Sequence, residues 1–434
     1  MSTELTRKDF LRIGGAAAVG AAVFPGSALA RFERLGTQGH AAAKMLKLAN
    51  DKVTWKPWFN TVGQDAAKAV GVGWTAVEYS DTTSYQAAIR TAGRTSKAPD
   101  LYSWWSGWLM KEIVDAGFAA DLTDIWNKNA AHYSKGVRDS FTFGGKTYGA
   151  PLYIGYWAVL YNKHVFADHK LSPPKTWAQF LNILKTLKAN GVTPLAATVS
   201  GRWPGFIYFE EFLVRSNPSL YQRLMAGKAK YTDAGVVKAM NIWRDLIEKG
   251  YFTDPSSVIF GTGANDATSY IKKGKVAMIQ IGTWYEPTMA GAGLKPGVDF
   301  GSFIMPNINP RAPKVVIFES GPLVVAEHGS NRDDALKALD YFMSKKGQQA
   351  WVKATGFVSP RNDVPSTSPT DRELAATIQK GGYKQLNRYW EATPHDIVEV
   401  AVDQFDKFML KGGDPKPILQ TIQKQADKTW STIK

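Results

Sequence analysis

The amino-acid sequence predicts an α/β protein built as two lobes, and two observations carry this prediction. The chain has 434 residues and 44% hydrophobic content, which is too long for one compact core when domains commonly hold about 100–200 residues. Segments typical of strands, loops and helices alternate along the chain, which is the repeating unit of an α/β lobe. Cysteine is absent, so disulfides, thiolate metal sites and thiol nucleophiles are excluded.

The first 30 residues have the layout of an export signal peptide. A basic stretch at residues 6–12 precedes a mild apolar run at residues 13–24, and residues 28–30 read Ala-Leu-Ala, a small-x-small cleavage site. The basic pair resembles the twin-arginine export signal, with Lys8 in place of its second arginine. No other apolar run reaches the roughly 18 residues of a membrane span. We therefore expect a periplasmic or secreted protein, without the lipid-modified cysteine that anchors many exported proteins.

The net charge of +15 raises the question of an anionic partner. The lysines are scattered singly along the chain and do not form a run, which is typical of a solvated surface. We therefore expect no nucleic-acid partner.

The first elements follow in order after the signal. Residues 31–52 are expected to be an N-terminal tether, and the alternating run at residues 53–59 predicts a strand that ends near its proline. A second strand is predicted at residues 74–79 and a helix at 85–92. A third strand at residues 100–103 leads directly into a pair of tryptophans.

Several short sequence motifs in a fixed order resemble those of a known family. The segment at residues 148–196 combines an aromatic strand, YNK, PPKTW, ANG and TPL, and AGFAADLTDIW precedes it at residues 116–126. GKVAM and GTW follow at residues 274–284, and GPLVV at 321–325. In this order the motifs resemble those of extracellular solute-binding protein family 1, the maltose-binding-protein-like sugar-binding components of ATP-driven (ABC) importers. The likeness runs with gaps from about residue 53 to about residue 364.

The resemblance implies a type II periplasmic binding protein fold, with discontinuous lobes joined by a hinge of three segments. It places the N-terminal lobe at residues 53–155 and 304–343 and the C-terminal lobe at residues 156–303 and 344–434. It also implies a monomer that closes around a carbohydrate and delivers it to the permease subunits of an ABC importer. No cofactor, metal or catalytic residue is implied.

Ligand-contacting candidates come first from aromatic residues near strand ends. A flat side chain stacks on the C–H face of a sugar ring and freezes few rotatable bonds in doing so. By motif position, the resemblance implies contacts from Trp58, Asn60, Trp104 or Trp105, Tyr156 or Trp157, Trp203, Phe206 and Trp284.

Polar candidates complete the set. Carboxylates accept strong, charge-assisted hydrogen bonds from hydroxyl groups, and an arginine can reach a ligand oxygen or the carboxylate of an acidic sugar. These candidates are Asp81, Glu286, Glu319, Ser320 and Arg361. Many relatives carry a carboxylate at the first passage between lobes, where this chain has Gly155, so stacking is expected to matter more than charge there.

Two other functions remain open on the sequence. A secreted carbohydrate-active hydrolase or lyase needs two suitably spaced carboxylates, and Glu210 with Glu211 is the nearest pair, although adjacent helix positions face different ways. The chain has no H-E-x-x-H, G-x-S-x-G or phosphate-binding loop motif. A binding protein for an anionic ligand, such as a uronate oligomer or a glycerol phosphodiester, is the other alternative, with Arg361 or Lys56 as its cation.

Overall fold

The computed structural model describes residues 43–261 and 265–433, which belong to the compact unit Ala43–Lys434. The expected signal peptide at residues 1–30 lies outside these ranges. No helix within them is both long enough and apolar enough to cross a membrane.

The strands of the described residues are short and mostly buried. In the first part of the chain they are β1 (Lys44–Asn50), β2 (Val72–Glu78), β3 (Leu101–Ser103), β4 (Thr142–Phe143), β5 (Lys146–Thr147), β6 (Ala150–Pro151) and β7 (Gly155–Asn162). Further along they are β8 (Thr193–Ala196), β9 (Val276–Gly282), β10 (Phe300–Phe303), β11 (Val315–Glu319), β12 (Pro322–Val325) and β13 (Lys384–Asn387).

Helices cover both faces of the sheets. The first nine are α1 (Lys56–Val70), α2 (Thr82–Ala92), α3 (Gly107–Asp115), α4 (Thr123–Asn129), α5 (Lys135–Asp139), α6 (Lys163–Asp168), α7 (Trp177–Ala189), α8 (Ile207–Ser216) and α9 (Pro218–Met225). They are followed by α10 (Ala234–Glu248), α11 (Ala267–Lys272), α12 (Glu286–Gly291), α13 (Arg332–Met343), α14 (Lys345–Thr355), α15 (Pro369–Gly381), α16 (Tyr389–Ala392), α17 (His395–Lys411) and α18 (Lys416–Ile433).

Two mixed sheets form the centres of the two lobes. One has the strand order β2-β1-β3-β12-β6, and the other has the order β13-β11-β7-β9-β8 with β10 paired to β7. Strands β7 and β9 are buried along their whole length, which explains their continuous apolar sequences, because helices cover both of their faces. The predicted two-lobed α/β fold is therefore confirmed.

The first strand lies earlier than the sequence pattern predicted. Residues 53–59 form a short 3-10 turn and the start of α1, and the first strand is instead β1, which lies inside the expected tether and pairs between β2 and β3. Lys44 to Asn50 pair in parallel with Val72 to Glu78, and the β1 side chains alternate only partly between exposed and buried. Pro57 lies in the first turn of α1, where a proline is tolerated because that N–H needs no partner within the helix.

The chain changes sheet at places that differ from the expected boundaries. Residues 315–319 pair with β7 and β13, so β11 belongs to the second sheet although residues 304–343 were assigned to the first lobe. Helix α14 packs on α1, with the rings of Trp351 and Phe59 5.0 Å apart, so it belongs with the first lobe. From these contacts we propose a first lobe of residues 43–152 and 322–364, with the remaining described residues in the second.

The lobes touch where α16 meets the start of α3. The indole N–H of Trp108 donates to the carbonyl oxygen of Ala392 at 3.1 Å, and its ring lies 5.6 Å from that of Trp430. Gly107 has φ +66°, and a Cβ there would lie 1.9 Å from the carbonyl oxygen of Glu391. This position therefore requires glycine both for its backbone conformation and for its closeness to the other lobe.

Gly107→Ala is expected to lower the melting temperature, because it adds an overlap with the α16 backbone to a strained dihedral. Gly117→Ala is the matched control, since Gly117 has φ +74° with open space around its Cβ. The strain alone costs about 1–2 kcal/mol in each variant. Thermal unfolding followed by circular dichroism should show a clearly larger loss for Gly107→Ala, and equal losses would contradict the proposed close contact.

Candidate functional site

The carboxyl ends of parallel strands mark the expected ligand site. Strands β1, β2 and β3 run parallel, as do β8 with β9 and β11 with β13. Ligands of open α/β sheets bind beyond the carboxyl ends of such strands. Trp284, after β9, packs on apolar clusters of both lobes, and Trp390, after β13, also contacts both lobes. The strand ends of the two sheets therefore meet at the junction of the lobes, which we call the cleft.

The first lobe contributes a lysine held between two indole rings. Lys52 follows β1, and its Nζ lies 5.4 Å from the ring centroid of Trp55 and 4.8 Å from that of Trp105. The same amine forms an ion pair of 2.6 Å with Asp51. Trp55 packs edge to face on Phe357, with centroids 5.0 Å apart. Flat apolar faces thus lie beside groups that donate and accept hydrogen bonds.

The second lobe presents a row of aromatic rings. Trp203 lies 5.8 Å from Trp284 and 6.2 Å from Phe260, and all three side chains are partly exposed. The turn before Trp203 is strained, because Arg202 has φ +61°. Its guanidinium forms ion pairs of 2.8 and 2.9 Å with two carboxylates of α17. These ion pairs hold the turn that presents the Trp203 ring.

A buried arginine connects β11 to α16. Arg388 Nη1 lies 2.7 Å from Glu319 Oε2, and its Nε donates to Glu391 Oε2 at 2.7 Å. The guanidinium carbon lies 5.4 Å from the ring centroid of Trp157 and 5.5 Å from that of Phe206. Burial raises the pKa of Glu319 to about 7, although the charge of Arg388 opposes this shift.

Several aromatic candidates are buried below the cleft surface. Trp104 is 1% exposed and donates its indole N–H to the carbonyl oxygen of Leu109 at 2.9 Å. Trp157 and Phe206 are fully buried and support Arg388. Tyr156 is buried as well, on the side of β7 that packs against α15. In this structure these four rings are part of the protein core.

Trp58 and Asn60 lie on α1 because the first strand ends before them. Trp58 is partly exposed and packs edge to face on Phe357, with centroids 5.5 Å apart. Asn60 Oδ1 accepts the backbone N–H of Ala76 at 2.8 Å. Asn60 therefore joins α1 to β2.

Three polar candidates have identifiable structural partners. Asp81 accepts a backbone N–H at the start of α2 at 2.8 Å, which is an N-cap contact. Ser320 Oγ donates to the carbonyl oxygen of Tyr153 at 2.6 Å. Arg361 is 4% exposed, forms an ion pair of 2.8 Å with Asp363 and also donates to two oxygens of the first lobe. All three stabilise local structure.

The structure brings part of the predicted set together and adds residues that the sequence did not reveal. The predicted residues that line the cleft are Trp105, Trp203, Trp284 and Glu319. The additional residues are Asp51, Lys52, Trp55, Arg388 and Trp390. Asp51 and Lys52 were predictable from the run KMLKLAN, had it been recognised as a strand, because they follow it directly. Arg388 lies beyond the family resemblance, and nothing in its local sequence indicates its role.

Glu286 forms a buried carboxyl pair with Asp371, at the start of α15. Ser368 Oγ donates to Glu286 Oε2 at 2.7 Å, and Ser366 Oγ donates to Asp371 Oδ2 at 3.4 Å. Among the described residues no donor is aligned on Glu286 Oε1 or Asp371 Oδ1, although the Thr283 hydroxyl lies close to Asp371, and the two carboxyl groups adjoin. One proton shared between them satisfies both oxygens.

Burial accounts for the protonation of this pair. It raises the pKa of Glu286 to about 9, with the negative charge of Asp371 as the second cause. It also raises the pKa of Asp371 to about 7. The phenol of Tyr156 faces the same carboxyl group from β7. The pair joins α12, next to Trp284, to the segment that leads out of the first lobe.

Two lobes with parallel strand ends facing an aromatic and charged cleft define a protein that binds a solute between its lobes. The chain belongs to the bacterial extracellular solute-binding protein family, whose model matches residues 61–377. The predicted family is therefore confirmed, and this family is periplasmic or otherwise exported.

Curated relatives agree with this assignment. An ABC transporter extracellular-binding protein of Pyrococcus horikoshii is 29% identical over 343 residues, covering 72% of this chain and 75% of the relative. The diacetylchitobiose binding protein of Streptomyces coelicolor is 21% identical over 405 residues, covering 91% of this chain and 92% of the relative.

Solved structures share the fold. A bacterial solute receptor described as preferring β-D-galactopyranose superposes with a TM-score of 0.78 at 22% identity, over 90% of this chain and 99% of the receptor. A chitin oligosaccharide binding protein superposes with a TM-score of 0.77 at 20% identity, over 90% of this chain and all of that protein.

The carboxyl pair predicts a specific pH dependence of stability. The folded protein holds a proton on Glu286 that the unfolded chain releases near its usual pKa of 4.5. Stability from this proton is therefore complete below about pH 4.5 and is lost as pH rises towards about 9. In Glu286→Gln the amide donates permanently, so this variant should equal the parent near pH 4.5 and exceed its stability by at least ~1 kcal/mol at pH 9.5.

Urea unfolding at both pH values measures this difference. Glu248→Gln, which changes a mostly exposed carboxylate on α10, is the control and should follow the parent at both pH values. A constant difference between Glu286→Gln and the parent would show that no proton is shared.

Proposed function

We propose that this protein captures a neutral carbohydrate in the cleft and delivers it to the permease subunits of an ABC importer. One observation carries the proposal: partly exposed indole rings from both lobes lie beside buried charged pairs at the facing strand ends. A sugar needs this combination, because its C–H faces stack on rings while its hydroxyl groups require polar partners. Relatives named as extracellular-binding and diacetylchitobiose-binding proteins support it.

The charges around the cleft favour a neutral ligand over an anionic one. Lys52 is paired with Asp51, and Arg388 contacts two carboxylates. The cations that motivated the anionic alternative are paired as well, Arg361 with Asp363 at 2.8 Å and Lys56 with a carboxylate of β2 at 3.0 Å. An anionic ligand would have to compete with these pairs.

The carboxylates that motivated a hydrolase are part of the core of the second lobe. Glu210 and Glu211 are both fully buried. Glu211 accepts from Arg215 at 2.7 Å and from Gln280 at 3.0 Å, while Glu210 accepts the backbone N–H of Tyr389 at 2.7 Å. The two carboxylates therefore have separate structural partners, and we propose binding without turnover.

Export supports the same role. We propose that residues 1–30 direct the protein across the cytoplasmic membrane, because the importer takes up its ligand from outside. The ligand then favours the closed arrangement of the lobes by its greater affinity for that arrangement.

A thermal-shift screen across neutral and acidic mono- and oligosaccharides tests the proposal. A ligand present at 100 times its Kd stabilises the folded state by about 2.7 kcal/mol, and the indole-lined cleft should report the same ligand by a change in tryptophan fluorescence. Product analysis after long incubation should show an unchanged saccharide. If no saccharide raises the melting temperature, carbohydrate capture is wrong, and release of a cleaved product would indicate an enzyme.

Trp203→Ala is expected to weaken binding of the saccharide found in that screen by about tenfold, or ~1.4 kcal/mol, because it removes a ring from the second-lobe row. Trp177→Ala is the control, since Trp177 is also partly exposed but packs on Phe180 and Phe212 at the start of α7. Isothermal titration calorimetry should show parent-like affinity for Trp177→Ala. Equal affinities for both variants would remove Trp203 from the site.

A further inference from the structure

Two buried polar atoms at the base of the cleft lack hydrogen bonds of normal geometry. Among the described residues, neither Glu319 Oε1 nor the indole nitrogen of Trp284 has an aligned partner. The two groups are neighbours, since the indole N–H lowers the pKa of Glu319, but they do not align with each other. Glu319 is 4% exposed, and a buried polar group without a partner is costly. An acceptor and a donor thus lie side by side, close enough to interact but without a hydrogen bond of normal geometry.

Strand pairing and a glycine bring these two groups together. Glu319 lies directly opposite Gly155 in the antiparallel pair of β11 and β7. A Cβ on Gly155 would lie 3.0 Å from Trp284 Cδ1 and 3.3 Å from Glu319 Cγ. The space that a side chain at residue 155 would take is therefore occupied by the side chain of Glu319 and the indole of Trp284. At this passage between the lobes a carboxylate is therefore supplied by Glu319 of β11, while the opposite position on β7 is a glycine.

Arg388 fixes the orientation of Glu319. It binds Oε2 at 2.7 Å, which leaves Oε1 as the oxygen without a donor. Its own position is set by Glu391 and by the rings of Trp157 and Phe206 below it. The guanidinium therefore holds the carboxylate in one rotamer.

We propose that Arg388 is a positioning residue of the ligand site, which holds Glu319 so that its Oε1 and the indole N–H of Trp284 bind one ligand hydroxyl together. A hydroxyl group donates one hydrogen bond and accepts others, so a single hydroxyl satisfies both atoms. This inference rests on the proposed function and deepens it, because it selects a ligand with a free hydroxyl at this point. Ligand entry requires the lobes to separate, since both atoms are buried in this arrangement.

The charged and titratable groups facing Glu319 determine how binding responds to pH. Arg388 and Lys52 lower its pKa, Glu391 raises it, and the phenol of Tyr153 lies beside it. With a pKa of about 7, the ionised fraction of Glu319 rises about tenfold between pH 6 and pH 8. Because the ionised carboxylate is the stronger acceptor, saccharide affinity should rise by up to about tenfold across this range.

The test measures affinity by calorimetry at pH 6, 7 and 8 for the saccharide found in the thermal-shift screen. In Glu319→Gln we expect affinity at pH 8 to fall at least tenfold and to become independent of pH. Trp284→Phe keeps an aromatic ring but removes the indole N–H donor, so it should lose affinity at every pH but keep the pH dependence. Arg388→Lys keeps the charge but cannot contact Glu319 and Glu391 together. The ionised form of Glu319 is then less stabilised, so the midpoint of the pH dependence should move to higher pH.

Asp406→Asn is the matched control. Burial raises the pKa of Asp406 to about 7 as well, but this residue lies on α17, so the variant should keep the pH dependence of the parent. Parent-like affinity and pH dependence in Glu319→Gln would overturn the inference while leaving carbohydrate capture intact. An unchanged midpoint in Arg388→Lys would overturn the positioning role. If no saccharide binds the parent, the proposed function fails and the inference fails with it.

Discussion

Residues 151–155 and residues 319–322 run side by side from one sheet to the other, and the arrangement of the lobes depends on this pairing. In the first sheet Pro322 lies opposite Pro151, and in the second Glu319 lies opposite Gly155. The segments between these pairs are short, so the two passages cannot shift relative to each other without breaking both sheets. Because register fixes which face each side chain takes, the same pairing directs Glu319 into the space above Gly155.

The buried charges at this junction are not explained by stability alone. Removing an arginine and two carboxylates from water costs several kcal/mol per ion, and apolar groups of similar size are often as stable or more so. Arg388, Glu319 and Glu391 nevertheless form a connected network over two aromatic rings. A network of this kind fixes one geometry, because an unpaired charge would be much more costly than the paired set. Fixed geometry is what a site needs if it is to distinguish one hydroxyl pattern from another.

The sequence was sufficient for the fold class and the family, because motif order and the alternation of strands and helices are local properties. It was insufficient where tertiary pairing decides the outcome. Residues 53–59 alternate like a strand, yet they form the start of α1 because β1 already occupies that position beside β2. Helix α14 follows α13 after one residue, and only its packing on α1 assigns it to the first lobe. Lobe boundaries and burial of single tryptophans depend on such contacts.

The aromatic candidates separate into two groups for a physical reason. Trp105, Trp203 and Trp284 lie in turns that leave a strand end, where one ring face remains partly exposed. Trp157 lies within β7, a strand buried along its length, so its ring supports the guanidinium above it. A tryptophan inside a central strand contributes to a site by supporting a polar group, whereas one just beyond the strand end can contact the ligand. In this cleft the supported group is the guanidinium of Arg388, which lies against the buried ring of Trp157.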